Sequence, residues 1–427
     1  MWKPVKIKDI VSGFYDGPHA TPEETSEGPI FLGIKNITPE GQIDLTDTKH
    51  LSENDFAKWT KRVTPRKNDI VFSYEATLHR YAIIPKGLKC CLGRRLALIR
   101  INEEVANYKF VYYWLLGDVW RSQVESKIIN GATVDRIPLI EFPDFIIPLP
   151  PLSLQRRIAA VLGRYDALLE NYQQQVVALE ALAQEVYQEW FVRGRGPGVA
   201  TGIEGELPAG WRKGKLREVL DFYIGGGWGQ EEPDDAHTVG GHVVRGTDVP
   251  NLKKGQVNLD VYRYHKASNM ASRELRAGDI VFEVSGGSTD QGLGRNVLLT
   301  DEALAKFGDK VMPASFCKLI RADQAKTSPY YLQQLLDHLL ETQEMAQFEV
   351  QSTGISNFQF EDFIDYQPVI IPAMEAMNSF DKLVKPMYKK IGILSTQMAT
   401  LRVTRDALLP RLLSGQLAID EPALAEA

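Results

Sequence analysis

The sequence predicts an α/β (α+β) fold in which two pseudo-symmetric modules are separated by two long helices packed as an antiparallel coiled coil. Three observations support this prediction. The chain has 427 residues, which is too long for one compact domain. It contains an internal repeat, and each copy of the repeat ends in a stretch of heptad periodicity.

The internal repeat covers nearly the whole chain. The string RKNDIVFS at 66–73 matches RAGDIVFEVS at 276–285, and LALIR ending at Arg100 matches CKLIR ending at Arg321. The matches keep their order while their offset drifts slowly, as loop insertions would cause. The chain is therefore expected to hold two copies of a unit of about 210 residues.

The first part of each copy has the pattern of short strands with a few helices. Runs such as DIVFSY, YAIIP and RLALIRI are rich in β-branched and aromatic residues and are bounded by Gly, Pro and Asn, which favours strands. One helix is predicted over 105–127, with a counterpart over 329–348.

The last part of each copy has apolar residues at alternating spacings of three and four, which predicts a narrow helical seam. Two such seams in one chain most simply pack against each other. Pro386 and Pro410 fall inside the second seam, so that helix is expected to start late or kink, and to fray before Gly415. Arg405 alone breaks the second seam. The candidate helix-pairing residues are Leu162, Leu169, Val176, Leu179, Val186, Met387, Leu394, Leu401 and Leu408.

These patterns divide the chain into six segments. The segment between the copies is rich in glycine, which is typical of a flexible surface linker. The predicted segments are module one at 1–152, a central helical spacer at 153–193, a linker at 194–210, module two at 211–372, a C-terminal helical spacer at 373–415 and a flexible tail at 416–427.

Charge, cysteine content and hydropathy exclude several classes of protein. The net charge of −6 has the wrong sign for coating nucleic acid by bulk electrostatics, so any nucleic-acid role must be local or shared with partners. Acidic residues exceed basic ones by six in 211–372, whereas basic residues exceed acidic ones by one in 1–152. The three cysteines provide neither a disulfide framework nor a four-ligand zinc site. The N-terminal sequence lacks the apolar core of a signal peptide, and no apolar run has the length of a membrane span, so a cytoplasmic protein is expected.

Catalytic motifs are absent from the sequence. It contains no phosphate-binding GxxxxGK[ST], no HExxH and no GxSxG. The GGGWG run from Gly225 lacks the spacing of a nucleotide-binding loop and is interpreted as an ordinary loop. No catalytic residue, metal ligand or cofactor site is predicted.

Two pairs of equivalent loops carry the candidate DNA-binding residues. The loops at 131–137 and 353–358 combine small and hydroxylated residues with a basic or amide side chain, which suits phosphate contacts; simple helix-to-strand turns are the alternative. The loops that follow the shared DIVF strand differ between the copies, as readers of different base edges would; solvated hairpin tips are the alternative. For Arg80 and Arg295 the alternative is a structural ion pair. The candidates are Tyr74, His79, Arg80, Thr133, Arg136, Ser285, Ser288, Thr289, Arg295, Thr353, Ser356 and Asn357.

Four further sequence features occur in a fixed order along the chain. They are the IPLPPL stretch from Ile147 leading into Gln155, Arg156 and a long helix, Trp211 after Pro208-x-Gly210, the GDIVF strand from Gly278, and the Gly294-Arg295-x-Val297 segment. Together with the repeat and the two heptad helices, they resemble the specificity subunits of Type I restriction-modification enzymes. The chain departs from that family's pattern in two places, because module one lacks the Leu-Pro-x-Gly lead and VIIPAMEAMNSF is degenerate. These departures bear on the segment boundaries.

This resemblance implies that the modules are target-recognition domains, each reading one half of a bipartite sequence in double-stranded DNA. It also implies that the helical regions bind two methyltransferase subunits and allows restriction/translocase subunits to join. The subunit itself would be non-catalytic and hold no cofactor, with S-adenosylmethionine and ATP only in partner subunits.

Two other functions remain open from the sequence alone. One is a pseudo-symmetric protein-protein adaptor without direct DNA readout, which the acidic second module favours. The other is a self-sufficient enzyme, which the missing motifs disfavour.

Overall fold

The computed structural model describes residues 2–128, 134–196, 207–286, 292–352 and 355–419. The chain forms two compact units. Unit 1 comprises Met1–Leu168 with Leu401–Ala427, and unit 2 comprises Leu169–Thr400. Each long helix contributes to both units, so the six segment boundaries remain a prediction.

Module one, within unit 1, has three sheets in its described part. A four-stranded antiparallel sheet has the order β2-β8-β5-β6, a second sheet has the order β4-β3-β7, and β1 pairs with β9. The β3–β7 pair is parallel. The strands are β1 Lys3–Lys6, β2 Val11–Asp16, β3 Thr25–Leu32, β4 Lys49–His50, β5 Ile70–Ser73, β6 Tyr81–Ile83, β7 Cys90–Leu92, β8 Leu96–Ile101 and β9 Ile146–Leu149.

Module two, within unit 2, repeats this topology. The sheets β11-β18-β14-β16, β13-β12-β17 and β10-β21 correspond in order to those of module one, and a small sheet β15-β20-β19 is added. The strands are β10 Arg212–Lys215, β11 Leu220–Gly225, β12 Val239–Val244, β13 Tyr262–His265, β14 Asp279–Glu283, β15 Ser285–Gly286, β16 Asn296–Leu298, β17 Val311–Pro313, β18 Cys317–Ala322, β19 Glu349–Ser352, β20 Ile355–Phe358 and β21 Pro368–Ile371. The predicted α/β fold with two pseudo-symmetric modules is thus confirmed.

Ten α-helices occur in the described residues. A π-helical turn at Gln188–Val192 continues the fourth helix. The helices are α1 Glu53–Trp59, α2 Tyr108–Leu116, α3 Asp118–Glu125, α4 Leu152–Tyr187, α5 Val249–Lys253, α6 Ala267–Arg273, α7 Asp301–Phe307, α8 Pro329–Glu341, α9 Phe360–Tyr366 and α10 Met374–Leu413. None of these helices is both long enough and apolar enough to span a membrane.

The helix predicted over 105–127 is in fact two helices. Gly117 takes an extended backbone, with φ −80° and ψ 154°, and separates α2 from α3. The apolar periodicity continues through this glycine. Glycine destabilises a helix interior because it loses more backbone entropy on ordering than any other residue, and the helix breaks at this position. The helix predicted over 329–348 in module two is α8, which ends at Glu341. A short 3-10 turn follows at Ala346–Phe348.

The two long helices predicted from the heptads are confirmed, although the second differs from expectation. Helix α10 begins at Met374 and runs through Pro386 and Pro410, so the expected late start was wrong. The early turns are held by packing, since Phe380 and Val384 are fully buried in the core of unit 2, which offsets the backbone hydrogen bond lost at proline. The helix ends two residues before Gly415, which has a φ of +76°.

The long helices pack antiparallel within each unit. In unit 2, Tyr187 of α4 contacts Phe380 of α10, and Val177 and Ile391 line one cavity. In unit 1, the core includes Leu162 of α4 and Leu412 of α10. Among the candidate pairing residues, Leu162, Leu169, Val176 and Leu394 are buried, and Leu179, Val186, Met387, Leu401 and Leu408 are half-buried.

The one polar residue of the second seam has a partner on the first helix. Arg405 Nη1 lies 2.8 Å from Asp166 Oδ1, and the Tyr113 hydroxyl donates to Asp166 Oδ2 at 2.5 Å. The Arg405 side chain is 19% exposed, so the pair is largely shielded from water. Arg405 therefore fits the helix pair through an ion pair where the other positions use apolar packing.

Candidate nucleic-acid interface

A tight β-turn follows the parallel strand pair in each module. In module one, the amide of Leu96 donates to the carbonyl of Gly93 at 3.0 Å. In module two, the amide of Cys317 donates to the carbonyl of Ala314 at 2.9 Å. The residues at the tip of a β-turn are the two central ones. Arg94 and Arg95 occupy the tip in module one, and Ser315 and Phe316 occupy it in module two.

A glycine in each module lets a neighbouring loop pass close to this turn. A Cβ at Gly17 would lie 2.1 Å from the Gly93 carbonyl oxygen, and one at Gly226 would lie 2.2 Å from that of Ala314. The equivalent backbone bonds are Gly17 N to Leu96 O and Gly226 N to Cys317 O, both 2.8 Å. Gly226, the second glycine of the GGGWG run, thus allows a close backbone approach, in agreement with the loop interpretation.

Three segments meet around the turn in each module, and we call this arrangement the loop junction. It comprises 74–76, 93–96 and 135–137 in module one, and 284–286, 314–317 and 355–358 in module two. In module one, Tyr74 N donates to Arg95 O at 3.1 Å and Ile137 N donates to Tyr74 O at 2.8 Å.

Module two has the same backbone bonds at equivalent positions. Val284 N donates to Phe316 O at 2.9 Å, and Phe358 N donates to Val284 O at 2.8 Å. The structure therefore brings together the two loop pairs that the sequence singled out, and adds the β-turn that sequence reasoning missed.

Tyr74 supports the junction of module one from beneath. Its side chain is buried, and its hydroxyl donates to the carbonyl oxygen of Arg94 at 2.9 Å. Burial raises the pKa of Tyr74 to about 12, which keeps the hydroxyl protonated as a donor. Arg136 is exposed, and its backbone forms a bridge with Glu75.

In module two, the predicted residues Ser285, Ser356 and Asn357 lie together. The Ser285 hydroxyl contacts the carbonyl oxygen of Ser356 at 3.1 Å and Asn357 Oδ1 at 3.0 Å. Ser285 and Ser356 are buried and Asn357 is exposed. Four further candidates, Thr133, Ser288, Thr289 and Thr353, lie outside the described residues.

The equivalent residues Arg80 and Arg295 have different surroundings. Arg295 makes two hydrogen bonds to the buried carboxylate of Glu283, at 2.7 and 2.5 Å. Module one has Ser73 at the position of Glu283. In the described part of the chain, the Arg80 side chain makes only a long 3.5 Å contact with the Ile37 carbonyl oxygen. The ion-pair alternative therefore describes Arg295 but not Arg80.

His79 lies away from the loop junction. It lines a cavity of about 340 Å³ with residues of α2, α3 and the end of α10. Its Nε2 lies 3.7 Å from Glu125 Oε1, and burial lowers its pKa.

A concavity opens beside the β-turn in each module. In module two it measures about 640 Å³ and is flanked by Trp228 and Phe316, which are 42% and 59% exposed. In module one it measures about 300 Å³ and includes Arg94 and Arg95 in its lining. Sequence reasoning missed these four residues. The paired arginines after the Cys90-Cys91 strand and the tryptophan inside a glycine run were the available signals.

The described residues contain no group of three or more potential metal-ligating side chains. The three cysteines are buried and free.

Comparisons with known proteins agree with the fold. Residues 2–180 match the family model described as the Type I restriction modification DNA specificity domain. The Type I restriction enzyme MjaIX specificity subunit of Methanocaldococcus jannaschii is 26% identical over 444 aligned positions, which cover 98% of this chain and 94% of the relative. Residues 2–180 of this chain thus resemble that specificity domain, and nearly the whole chain is similar to a Type I restriction enzyme specificity subunit.

A second relative and a solved structure extend the comparison. The MjaVIII specificity subunit of the same organism is 23% identical over 192 positions, 44% of each chain. The crystal structure of the Type I restriction-modification S subunit from M. genitalium has a TM-score of 0.54 at 14% identity and covers 96% of both chains. At that identity the likeness shows that the fold is shared.

Proposed function

We propose that this chain is the DNA sequence-specificity subunit of a Type I restriction-modification complex. Its two target-recognition modules read the two halves of a bipartite sequence in double-stranded DNA. The observation that carries the proposal is the duplicated loop junction, in which the same backbone hydrogen bonds hold different side chains. A reader of two unlike half-sites needs this combination, because base identity is distinguished by the donors, acceptors and methyl groups presented in the groove.

Electrostatics favour a shared role in DNA binding over binding by the chain alone. The net charge is −6, and the exposed acidic residues of module two oppose a phosphate backbone. Partner subunits that contribute basic surface would supply the missing attraction, since phosphate neutralisation provides much of the affinity of protein–DNA complexes.

The long helices are proposed to position two methyltransferase subunits, and restriction/translocase subunits can join the same complex. Several apolar side chains on these helices are exposed to solvent, which is typical of surfaces that bind another protein. They are Leu168, Val177 and Leu182 on α4, and Leu383, Ile393 and Val403 on α10. The subunit itself is proposed to be non-catalytic, with S-adenosylmethionine and ATP bound only by its partners.

The test is to express the chain with its methyltransferase partner in a host without other restriction-modification systems and to sequence modified adenines across the genome. The expected result is one bipartite motif with a fixed spacer. Modification without sequence preference, or a complex whose DNA binding is independent of sequence and salt, would contradict the proposal and favour an adaptor.

A further inference from the structure

We propose that the β-turn tips are the base-reading contacts of the two modules, with Arg94 reading a guanine in one half-site and Phe316 contacting a thymine methyl group in the other. This inference rests on the proposed function and assigns residues to it. Neither Arg94 nor Phe316 lies in a motif that the two copies share.

The turn exposes these side chains to solvent while its backbone is held in place by hydrogen bonds. Arg94, Ser315 and Phe316 are exposed, while the turn backbone beneath them is held by the hydrogen bonds of the loop junction. In module one, the buried Tyr74 hydroxyl and amide hold the carbonyl oxygens of Arg94 and Arg95. Because the backbone of the turn is already fixed, conformational entropy is lost mainly by the side chain when it contacts a base.

The charge of Arg94 is available for a ligand. In the described part of module one, its guanidinium takes part in no hydrogen bond or ion pair with the protein, whereas Arg95 Nε lies 3.3 Å from Glu75 Oε1. An unpaired guanidinium fits the O6 and N7 atoms of guanine with two parallel hydrogen bonds, which is the most common specific contact in protein–DNA complexes.

The arginines that line the concavity of module two are already neutralised. Arg245 makes a two-point contact with Asp248, and Arg295 makes one with Glu283. The turn of module two has the exposed Phe316 at its tip. Phe316 and the exposed Trp228 line the same concavity. Apolar contact of this kind suits the C5-methyl group of thymine.

The two turns are also equivalent in topology, which is the independent support for a shared role. Each turn links the second strand of a parallel pair, β7 or β17, to the central strand β8 or β18 of the larger sheet. The backbone bonds are the same and the side chains at the tip differ, as two readers of unlike half-sites require.

The experiment uses the full chain in complex with its methyltransferase partner, and reads the modified motif for the variants Arg94→Ala, Arg94→Gln and Phe316→Ala. Arg94→Ala is expected to reduce discrimination at one guanine of the module-one half-site by about 10- to 100-fold. Arg94→Gln is expected to accept adenine at that position, because glutamine pairs with N6 and N7 of adenine. Phe316→Ala is expected to relax one thymine in the other half-site.

Lys86→Ala is the matched control, because it removes one exposed positive charge from the same module. It should leave the motif unchanged. An unaltered motif in active Arg94→Ala and Arg94→Gln complexes would overturn the inference and indicate that Arg94 contacts no base. An equal loss of modification for all sequences would also overturn it and indicate a phosphate contact. A wild-type motif without guanine in the module-one half-site would also overturn it. If the wild-type complex modifies no defined sequence, the proposed function itself fails.

Discussion

Both copies of the repeat contain an equivalent buried ion pair, and the contribution of this pair to stability can be tested by mutation. Asp69 of module one is 1% exposed, and its carboxylate accepts hydrogen bonds from Arg100 Nε at 2.8 Å and Arg100 Nη2 at 2.7 Å. The equivalent pair in module two joins Asp279 to Arg321, with two bonds of 2.7 Å. In the variant Arg100→Met, the carboxylate would keep only the backbone amide of Arg66, at 2.9 Å.

The expected loss follows from the burial of the charge that remains. Removing one partner of a buried ion pair costs about 3–5 kcal/mol, because it leaves an uncompensated charge away from water. The Arg100 side chain is 18% exposed, so some water can reach the site, and the lower end of this range is expected. The double variant Asp69→Leu/Arg100→Met should recover most of the loss, since an apolar pair of similar volume is often neutral.

The assay is urea-induced unfolding of the full chain, followed by circular dichroism of the aromatic side chains. Lys86→Met is the control, and as a surface substitution it should change the free energy of unfolding by no more than about 0.5 kcal/mol. A loss below about 1 kcal/mol in Arg100→Met, the range of an exposed ion pair, would refute the reasoning. So would a double variant that is as unstable as the single one.

Three further predictions concern the two long helices and the equivalent residues Arg80 and Arg295. Insertion of four residues after Gln175, with a matching insertion after Leu394 of α10, adds about 6 Å of helix and should lengthen the target spacer by about one or two base pairs. An insertion of two residues should turn the apolar stripe by about 200° and abolish modification; an unchanged spacer, or normal activity of the two-residue variant, would contradict this. Arg80→Ala should weaken DNA binding by about 1–3 kcal/mol without altering the melting temperature, and unaltered affinity would refute the contact. Arg295→Ala should instead lower the melting temperature, because Glu283 would remain buried without its partner, and an unchanged melting curve would show that the pair contributes nothing.

Periodic and repeated features of the fold were predictable from the sequence, because they depend on local patterns. The heptad spacing predicted α4 and α10, and the DIVF runs predicted β5 and β14. The repeat also marked both members of the buried ion pairs, since Asp69 lies in one matched string and Arg100 ends another. Their contact could not be predicted, because β5 and β8 are neighbours only in the folded sheet.

The loop junction could not be predicted from the sequence. Tyr74 was a predicted DNA contact, but the folded chain buries this residue under the turn that Arg94 occupies. Arg94 was not predicted, because nothing in its local sequence pattern distinguishes the tip of a turn from any other exposed position. Only the hydrogen bonds between distant segments show which side chains are held together.

The proposed function requires that each module reads one half of the target independently. The most direct measurement is to replace 1–152 with the corresponding module of a relative that has a different target, and to sequence modified adenines across the genome. The modules are joined by a glycine-rich linker, so the exchange should leave module two intact. One half of the motif is expected to change while the other half stays the same. A change in both halves would show that the modules do not read the target independently.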